Sequence, residues 1–168
     1  QVETDLGKAL ACKPDAVIVA NPTAFHMDVA IPAAEAGCHL LLEKPISHTL
    51  NGIDRLQKAV QNSGTKVLVG YQFRFHPVLQ QVKALLDQNK LGVPISGRFH
   101  WGEYLPDWHP WEDYRNSYSA RADLGGGVVL TLSHPLDYLR WFFGDVQSVG
   151  AYVGQLSPLE LAVEDHAE

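Results

Sequence analysis

The first 70 residues alternate short branched-apolar runs with helical patterns, and this alternation limits the possible folds most strongly. Continuous apolar runs of four to six residues are typical of strands buried on both faces. Strand–helix–strand crossovers of this kind build a parallel sheet with helices on its faces. The predicted strands cover residues 15–20, 39–42 and 66–70, and the predicted helices cover residues 4–12, 24–37 and 49–61.

Glycines and a threonine mark the predicted helix ends. Gly37 and Gly64 follow the second and third helical patterns, where a left-handed residue commonly ends a helix. Thr49 is a candidate N-cap for the helix that follows it. The local signals therefore agree with the strand and helix pattern.

The pattern changes after Tyr71, which predicts a boundary between two subdomains near residues 72–76. The next predicted elements are helices over 77–89 and 128–143 and strands over 95–105, 146–153 and 159–163. A polar, aromatic-rich loop separates the two helices at 106–123. Because the parallel unit has nothing before its first strand, we expect the chain to be a fragment.

Composition excludes several classes of function. The net charge is −6 and no run of lysines or arginines occurs, so we expect no binding to nucleic acid or to a membrane surface. Cys12 and Cys38 form no C-x-x-C pair and are expected to be buried free thiols in a reducing compartment. The eight histidines lack metal-ligand spacing, so no metal is expected. No apolar stretch approaches the roughly 20 residues of a membrane span, and the first residues lack a signal-peptide pattern, which predicts a cytoplasmic protein.

Open parallel sheets bind ligands at the carboxyl ends of their strands. Asn21 and Thr23 follow the first strand, where they can contact a ligand or cap the next helix. Glu43 and Lys44 follow the second strand and precede Pro45, which holds Lys44 extended. Lys44 can polarise an oxygen as a cation, or share a proton if its pKa is lowered, but a surface ion pair with Glu43 is the alternative.

Two further groups can carry chemistry. Arg74 follows the third strand between aromatic residues, where it can bind a polyol or carboxylate or lock the two subdomains together. Thr131, His134 and Asp137 are three residues apart on the predicted helix and would share a face. His134 can exchange protons near neutral pH with Asp137 orienting its ring, or it can be a core histidine bonded to Asp137. Pro135 predicts a kink that frees a carbonyl near His134.

The stretch 101–118 holds three of the four tryptophans and three of the six tyrosines. Aromatic faces with polar edges suit a sugar ring and its hydroxyls. An oligomer interface, or a loop folded onto its own rings, is the alternative interpretation.

Four strings in this order resemble the Gfo/Idh/MocA family of NAD(P)-dependent oxidoreductases. They are PDAVIVANPTAFH, AGCHLLLEKPIS, VGYQFRFHP and LGGGVVLTLSHPLDYLRWFFG, and VEDHA near the end resembles a later family motif. The resemblance runs from about residue 14 to residue 165. It implies an α/β fold in which part of a Rossmann parallel sheet (1–73, without its glycine-rich first half) precedes part of a substrate-binding α/β domain with an open, mainly antiparallel sheet (74–168).

The resemblance also implies a reaction. It implies NAD or NADP as cofactor and hydride transfer to or from a sugar, a polyol or a sugar derivative. Lys44 matches the active-site lysine of the family and His134 its active-site histidine. The predicted cofactor-side residues are Asn21, Pro22, Thr23, His26, Glu43, Lys44 and Gln72, and the predicted substrate-side residues are Tyr71, Arg74, Tyr118 and Asp137. A sugar-like small molecule and further copies of the same chain are the expected partners.

Two departures from the family pattern matter. The family commonly has an aspartate three or four residues before the histidine, where this chain has Thr131 and Leu130. The glycine fingerprint G-x-G-x-x-G, which holds the cofactor pyrophosphate, does not occur in the 168 residues. We therefore expect weak dinucleotide binding by this chain. A non-catalytic sugar-binding member, and an NAD-dependent glycosidase or epimerase that regenerates its cofactor, are the alternatives.

Overall fold

A three-stranded parallel sheet organises the first half of the chain in the computed structural model, which describes residues 2–168. The strands are β1 (Ala16–Val19), β2 (His39–Leu42) and β3 (Val67–Val69), in the order β1-β2-β3. Ala16 lies opposite His39, and Leu40 lies opposite Val67. The predicted α/β class with a parallel sheet is confirmed, and no strand is longer than predicted.

One face of this sheet carries the core. The helices of this half are α1 (Leu6–Ala11), α2 (His26–Glu35) and α3 (Ile53–Ser63). Side chains from α2, α3 and the inward face of the strands form the buried cluster: Val19, Ala30, Ile31, Ala33, Ala34, Cys38, Leu40, Leu42, Leu56 and Ala59. The alanines of α2 let its backbone lie close to the sheet, because they add little bulk between the two layers.

The opposite face of the sheet is open among the described residues. Ile18 is 70% exposed and Leu68 is 57% exposed, while their neighbours Val19 and Leu42 are buried. Successive residues of a strand point to opposite faces, so covering one face leaves every second side chain outside. The expectation that these strands are buried on both faces is therefore wrong for this structure.

The helix ends agree with the glycine signals and differ at one cap. Gly37 and Gly64 have φ of 87° and 68°, the left-handed conformation expected after a helix. The N-cap of α3 is Gly52 rather than Thr49. Thr49 accepts a hydrogen bond from the Asn51 backbone instead, in the turn before the helix. Both cysteines are free, but Cys12 is exposed and only Cys38 is buried.

The second half contains the helices α4 (Pro77–Asp87), α5 (Val128–Thr131) and α6 (His134–Phe143) and a short antiparallel pair, β4 (Val153–Gly154) with β5 (His166–Ala167). Short 3-10 turns occur at Gln72–Phe75, Leu105–Asp107, Tyr114–Asn116, Tyr118–Ala120 and Ala122–Leu124. The strands predicted over 95–105 and 159–163 are wrong, and of the strand predicted over 146–153 only the last residue, Val153, pairs with another strand. A half-exposed strand needs a neighbour for its backbone groups, and the described residues offer none there. The division into domains at residues 73 and 74 stays a prediction.

The apolar helix predicted over 128–143 is two helices. Leu132, with φ −100° and ψ 38°, ends α5, and Pro135 lies in the first turn of α6, where its missing N–H needs no partner. Thr131 and His134 therefore do not share the face of one continuous helix. Among residues 2–168 the longest helices have 11 residues, and none is long and apolar enough to cross a bilayer.

Candidate functional site

A cavity of about 370 Å³ lies at the carboxyl ends of β1 and β2. Its walls contain Ala20, one residue predicted for the substrate side (Tyr118), and most of the residues predicted for the cofactor side: Asn21, Pro22, Thr23, His26, Glu43 and Lys44. Parallel strands end at the same edge of a sheet, so residues that follow β1 and β2 meet there. Gln72 is exposed and does not line this cavity.

Asn21 and His26 form one wall of the cavity and hold each other in place. The ring of His26, 1% exposed, donates from Nε2 to the Asn21 carbonyl at 3.0 Å, and Asn21 Nδ2 donates to the Phe25 carbonyl at 3.2 Å. Neither Asn21 nor Thr23 caps α2, whose N-cap is Phe25. Asn21 Oδ1 and His26 Nδ1 are buried without a hydrogen-bond partner in the protein. This wall therefore has unused acceptors, which helix capping does not explain.

Lys44 bridges the two halves of the molecule. It precedes a cis peptide bond to Pro45, and its Nζ donates to the Thr131 carbonyl at 2.5 Å. Burial lowers the pKa of Lys44, while the charge of Glu43 acts in the opposite direction. Among the ion pairs of the described residues none joins Lys44 to Glu43, so the surface ion pair is not formed.

His134 lies in an aromatic enclosure at the start of α6. Its ring centroid is 4.6 Å from that of Phe73 and 5.8 Å from that of Tyr71, both edge to face, and it stacks on Trp101 at 6.0 Å. The residue is 6% exposed and its Nδ1 has no hydrogen-bond partner. Burial lowers the pKa of His134 and the charge of Lys44 lowers it further, so the neutral imidazole is favoured.

Asp137 does not orient His134, contrary to expectation. Its two carboxylate oxygens accept from Arg74 Nε and a terminal guanidinium nitrogen, both at 2.8 Å, which ties the turn after β3 to α6. The guanidinium also lies 5.7 Å from the ring centre of Trp141. This geometry favours the locking interpretation of Arg74 over the substrate-binding one. Tyr71 lies nearer the candidate site, with its hydroxyl 3.5 Å from Ser133 Oγ.

The aromatic loop adjoins the cavity. A second cavity of about 270 Å³ shares Pro22 and Tyr118 with the first and is lined further by Trp108, Tyr114 and Ser117. Trp111 at the tip of the loop is exposed. The loop thus places part of its aromatic surface beside the candidate site and part in solvent.

Sequence reasoning missed how tightly the glycine turn before α5 is packed against the turn that carries Tyr118 and against Glu164. Gly126 and Gly127 approach other backbone or side chains so closely that a Cβ would lie 2.4 Å from the Tyr118 carbonyl and 2.3 Å from Glu164 Oε1, respectively. Glu164 binds the start of α5, accepting from Val129 N at 3.2 Å. The three consecutive glycines were the available signal, and they serve close packing here. Among residues 2–168, no group of three or more His, Cys, Asp and Glu side chains is arranged to hold a metal.

The proximity of Lys44 and His134 gives a direct test. We expect Lys44→Met to raise the pKa of His134, because the variant removes a positive charge that disfavours the imidazolium. The measurement is a proton–carbon NMR titration of the histidine rings, with His39, which bonds to the Lys66 backbone, as the internal control. An unchanged His134 midpoint would mean that the two side chains do not share a site.

Comparisons with known proteins identify the family of this chain. The family model described as the GFO/IDH/MocA C-terminal domain matches residues 79–168, and the model described as an oxidoreductase family with an NAD-binding Rossmann fold matches residues 3–71. The scyllo-inositol 2-dehydrogenase (NAD(+)) of Bacillus subtilis (strain 168) is 36% identical over 141 residues, which are 82% of this chain and 38% of that protein.

Two further comparisons broaden the range of chemistry. The 2,7-anhydro-N-acetylneuraminate hydratase of Mediterraneibacter gnavus is 29% identical over 147 residues, 85% of this chain and 37% of that protein. The crystal structure of the WlbA dehydrogenase from Bordetella pertussis in complex with NADH and UDP-GlcNAcA superimposes with a TM-score of 0.79 at 28% identity, over 98% of this chain and 47% of that one. This chain thus spans less than half the length of these relatives.

Two family models that together match almost the whole chain, and a parallel sheet whose strand ends carry Asn21 and Lys44, lead to one conclusion. The chain belongs to the Gfo/Idh/MocA family of oxidoreductases with an NAD-binding Rossmann fold.

Proposed function

We propose that the protein transfers hydride between a nicotinamide cofactor and a carbinol or carbonyl carbon of a sugar, a polyol or a sugar derivative. The observation that carries this proposal is the approach of two side chains from different halves of the chain. Lys44 lies at the end of β2 and contacts Thr131, three residues before His134. The charge of Lys44 lowers the pKa of His134, which favours the neutral imidazole.

The residues of the 370 Å³ cavity fit the nicotinamide end of such a cofactor. The volume is within the roughly 300–1,000 Å³ usual for ligand pockets. Asn21 lines the cavity, and its buried Oδ1 lacks a donor, which the amide N–H of a carboxamide would supply. Asn21, Thr23 and Glu43 would hold that end of the cofactor. The bound nicotinamide would accept or give the hydride.

Lys44 and His134 would act on the same substrate oxygen in different ways. One N–H of the Lys44 ammonium is used on the Thr131 carbonyl, which leaves the others for a hydroxyl or carbonyl oxygen of the substrate. The charge on Nζ would stabilise negative charge that develops on this oxygen. The neutral imidazole of His134 would take the hydroxyl proton during oxidation and return it during reduction.

The aromatic loop supports the proposal that the substrate is a sugar or a related polyol. Trp108, Tyr114 and Tyr118 line the cavity beside the nicotinamide pocket, and aromatic faces pack well against the apolar face of a sugar ring. The similarity to proteins named for inositol and for a UDP-linked sugar acid points the same way. We propose a small polyhydroxylated ring, free or linked to a nucleotide, as the substrate.

A cofactor and substrate panel tests the proposal. Because this chain lacks the glycine fingerprint and is itself expected to be inactive, the test uses a version that extends it to the full length of its relatives. That protein would be incubated with NAD⁺ or NADP⁺ and with inositols, hexoses, uronic acids and nucleotide sugars, and the absorbance of reduced nicotinamide would be followed. We expect reduced cofactor to accumulate with at least one member of the panel. Binding of a sugar measured by calorimetry, without reduction in any reaction, would instead identify a non-catalytic binding protein.

A reaction without net oxidation is the second candidate, favoured by the similarity to a protein named a hydratase. In that case the hydride returns to the product and no reduced cofactor accumulates. Mass spectrometry of the sugar would show product, and a substrate deuterated at the reacting carbon would separate the two candidates. Net oxidation leaves the deuterium on the reduced cofactor, whereas a returning hydride leaves it in the product.

A further inference from the structure

Pro135 stands four residues after Thr131, which is the spacing at which an α-helix pairs a backbone N–H with a carbonyl. Proline has no N–H to give. The helix α5 ends at Thr131, and α6 begins at His134 with Pro135 in its first turn. The carbonyl of Thr131 therefore lacks the donor that a continuous helix over 128–143 would provide.

Lys44 supplies the missing donor from the other half of the chain. Its Nζ lies 2.5 Å from the Thr131 carbonyl oxygen, across 87 residues of sequence. Carbonyls at the end of a helix carry a partial negative charge, and an ammonium is a favourable partner for it. The Thr131 side chain does not make this contact, because its Oγ1 is buried without a hydrogen-bond partner. The backbone of residue 131, rather than its side chain, holds the lysine.

The direction of Lys44 follows from this contact. An ammonium on a four-carbon stem has many rotamers, and one short hydrogen bond to a buried backbone atom removes most of that freedom. Thr131 is 6% exposed and lies three residues before His134. The contact therefore brings Nζ to the edge of the aromatic enclosure around the imidazole. The ionisable groups near Nζ are Glu43 and His134.

We infer that Pro135 is a positioning residue: by withholding an N–H from the Thr131 carbonyl, it reserves that carbonyl for Lys44 and so fixes the ammonium beside His134. The inference rests on the proposed function for its catalytic meaning. The contact itself exists without cofactor or substrate, so it is tested separately from the reaction.

Selective labelling isolates the Thr131 carbonyl in the wild-type protein. Only two Thr-Leu pairs occur in the sequence, Thr49-Leu50 and Thr131-Leu132. With carbonyl-¹³C threonine and ¹⁵N leucine, a carbonyl–amide correlation spectrum of this chain shows those two signals. The Leu132 amide donates to the Val128 carbonyl at 2.9 Å, which protects it from exchange at raised pH.

The wild-type titration has one supporting and one overturning outcome. We expect the carbonyl shift of Thr131 to follow the deprotonation of Lys44, the shift of Thr49 to stay constant, and the Thr131 response to vanish in Lys44→Gln. A Thr131 carbonyl that does not titrate in the wild-type protein overturns the inference. Neither outcome depends on activity, so the failure of this inference can be distinguished from the failure of the hydride-transfer proposal.

The variant Pro135→Ala then tests the proline. The backbone N–H that this substitution adds competes for the Thr131 carbonyl, so the pH response of that carbonyl should fall below half of its wild-type amplitude and the midpoint of Lys44 should move to lower pH. Pro32→Ala is the control, since Pro32 lies inside α2 and outside the candidate site. A folded Pro135→Ala protein with the wild-type response excludes a positioning role. If this variant does not fold, the wild-type titration still decides whether the contact exists.

Discussion

Replacing Lys44 by alanine should lower kcat by about 10²- to 10⁴-fold, the range usual for a positioned acid or base. The reason is that the variant removes both the charge facing the substrate oxygen and the group that is anchored to the Thr131 carbonyl. The loss should fall on kcat more than on KM, because the interaction strengthens as charge develops on the oxygen. Steady-state kinetics of the version with the full length of its relatives, with the substrate found in the panel, provide the measurement.

Two variants control this experiment. Lys58→Ala removes an exposed lysine of α3 outside the candidate site and should leave kcat unchanged. Lys44→Arg keeps the charge but replaces a compact ammonium with a planar fork, so it should restore only part of the activity. A kcat of Lys44→Ala within about threefold of wild type, far below the usual effect of an acid or base, would contradict the proposed role.

The pH dependence of kcat should show the titration of both Lys44 and His134. Burial lowers the pKa of Lys44, so this group loses its proton at a lower pH than an exposed lysine. If the ammonium is the active form, kcat falls through that pKa as the pH rises. The pKa of His134 is also lowered, so the base needed for oxidation forms at a lower pH than in a free histidine, and activity rises through it. The alkaline fall should be absent from Lys44→Ala.

The second large effect is expected on stability. Gly126→Ala should lower the free energy of unfolding by about 2–3 kcal/mol, the upper range for overpacking a well-packed site. A Cβ on residue 126 would lie 2.4 Å from the Tyr118 carbonyl oxygen and 2.6 Å from that of Ser119, and both are backbone atoms that cannot rotate away. Urea denaturation measures the effect as a lower midpoint with an unchanged slope.

Gly150→Ala is the matched control for this variant. A Cβ at residue 150 meets nothing within 4 Å, so the midpoint should not fall. Equal midpoints for Gly126→Ala and Gly150→Ala would show that the glycine turn is not tightly packed. Because residue 126 presses on the turn that carries Tyr118, we also expect Gly126→Ala to disturb the cavity and raise KM.

The local sequence pattern was sufficient to predict the parallel sheet and part of the candidate site. The branched-apolar runs of β1, β2 and β3 and the glycines after α2 and α3 depend on residues near in sequence, so a single chain displays them. The position of Lys44 at the end of β2 follows from the same local order. Parallel strands end at one edge, so Asn21 and Lys44 were both expected at that edge of the sheet, and the structure places both on one cavity.

Contacts between distant residues could not be derived in this way. Periodicity tells which side of a strand is apolar but not what covers it, so the exposure of Ile18 was not foreseen. The alternation over 95–105 suits a strand, yet no described strand lies beside it to accept its backbone hydrogen bonds. Arg74 was open to two interpretations until its partner Asp137 was located.

The sequence by itself determined that a lysine ends one strand and that a proline lies one residue after a histidine. Only the tertiary structure decided that this proline lies in the first turn of a new helix and that the freed Thr131 carbonyl accepts from Lys44. The physical reason is that an unpaired backbone carbonyl is a local property of the chain, whereas the donor that satisfies it depends on how segments 87 residues apart pack together.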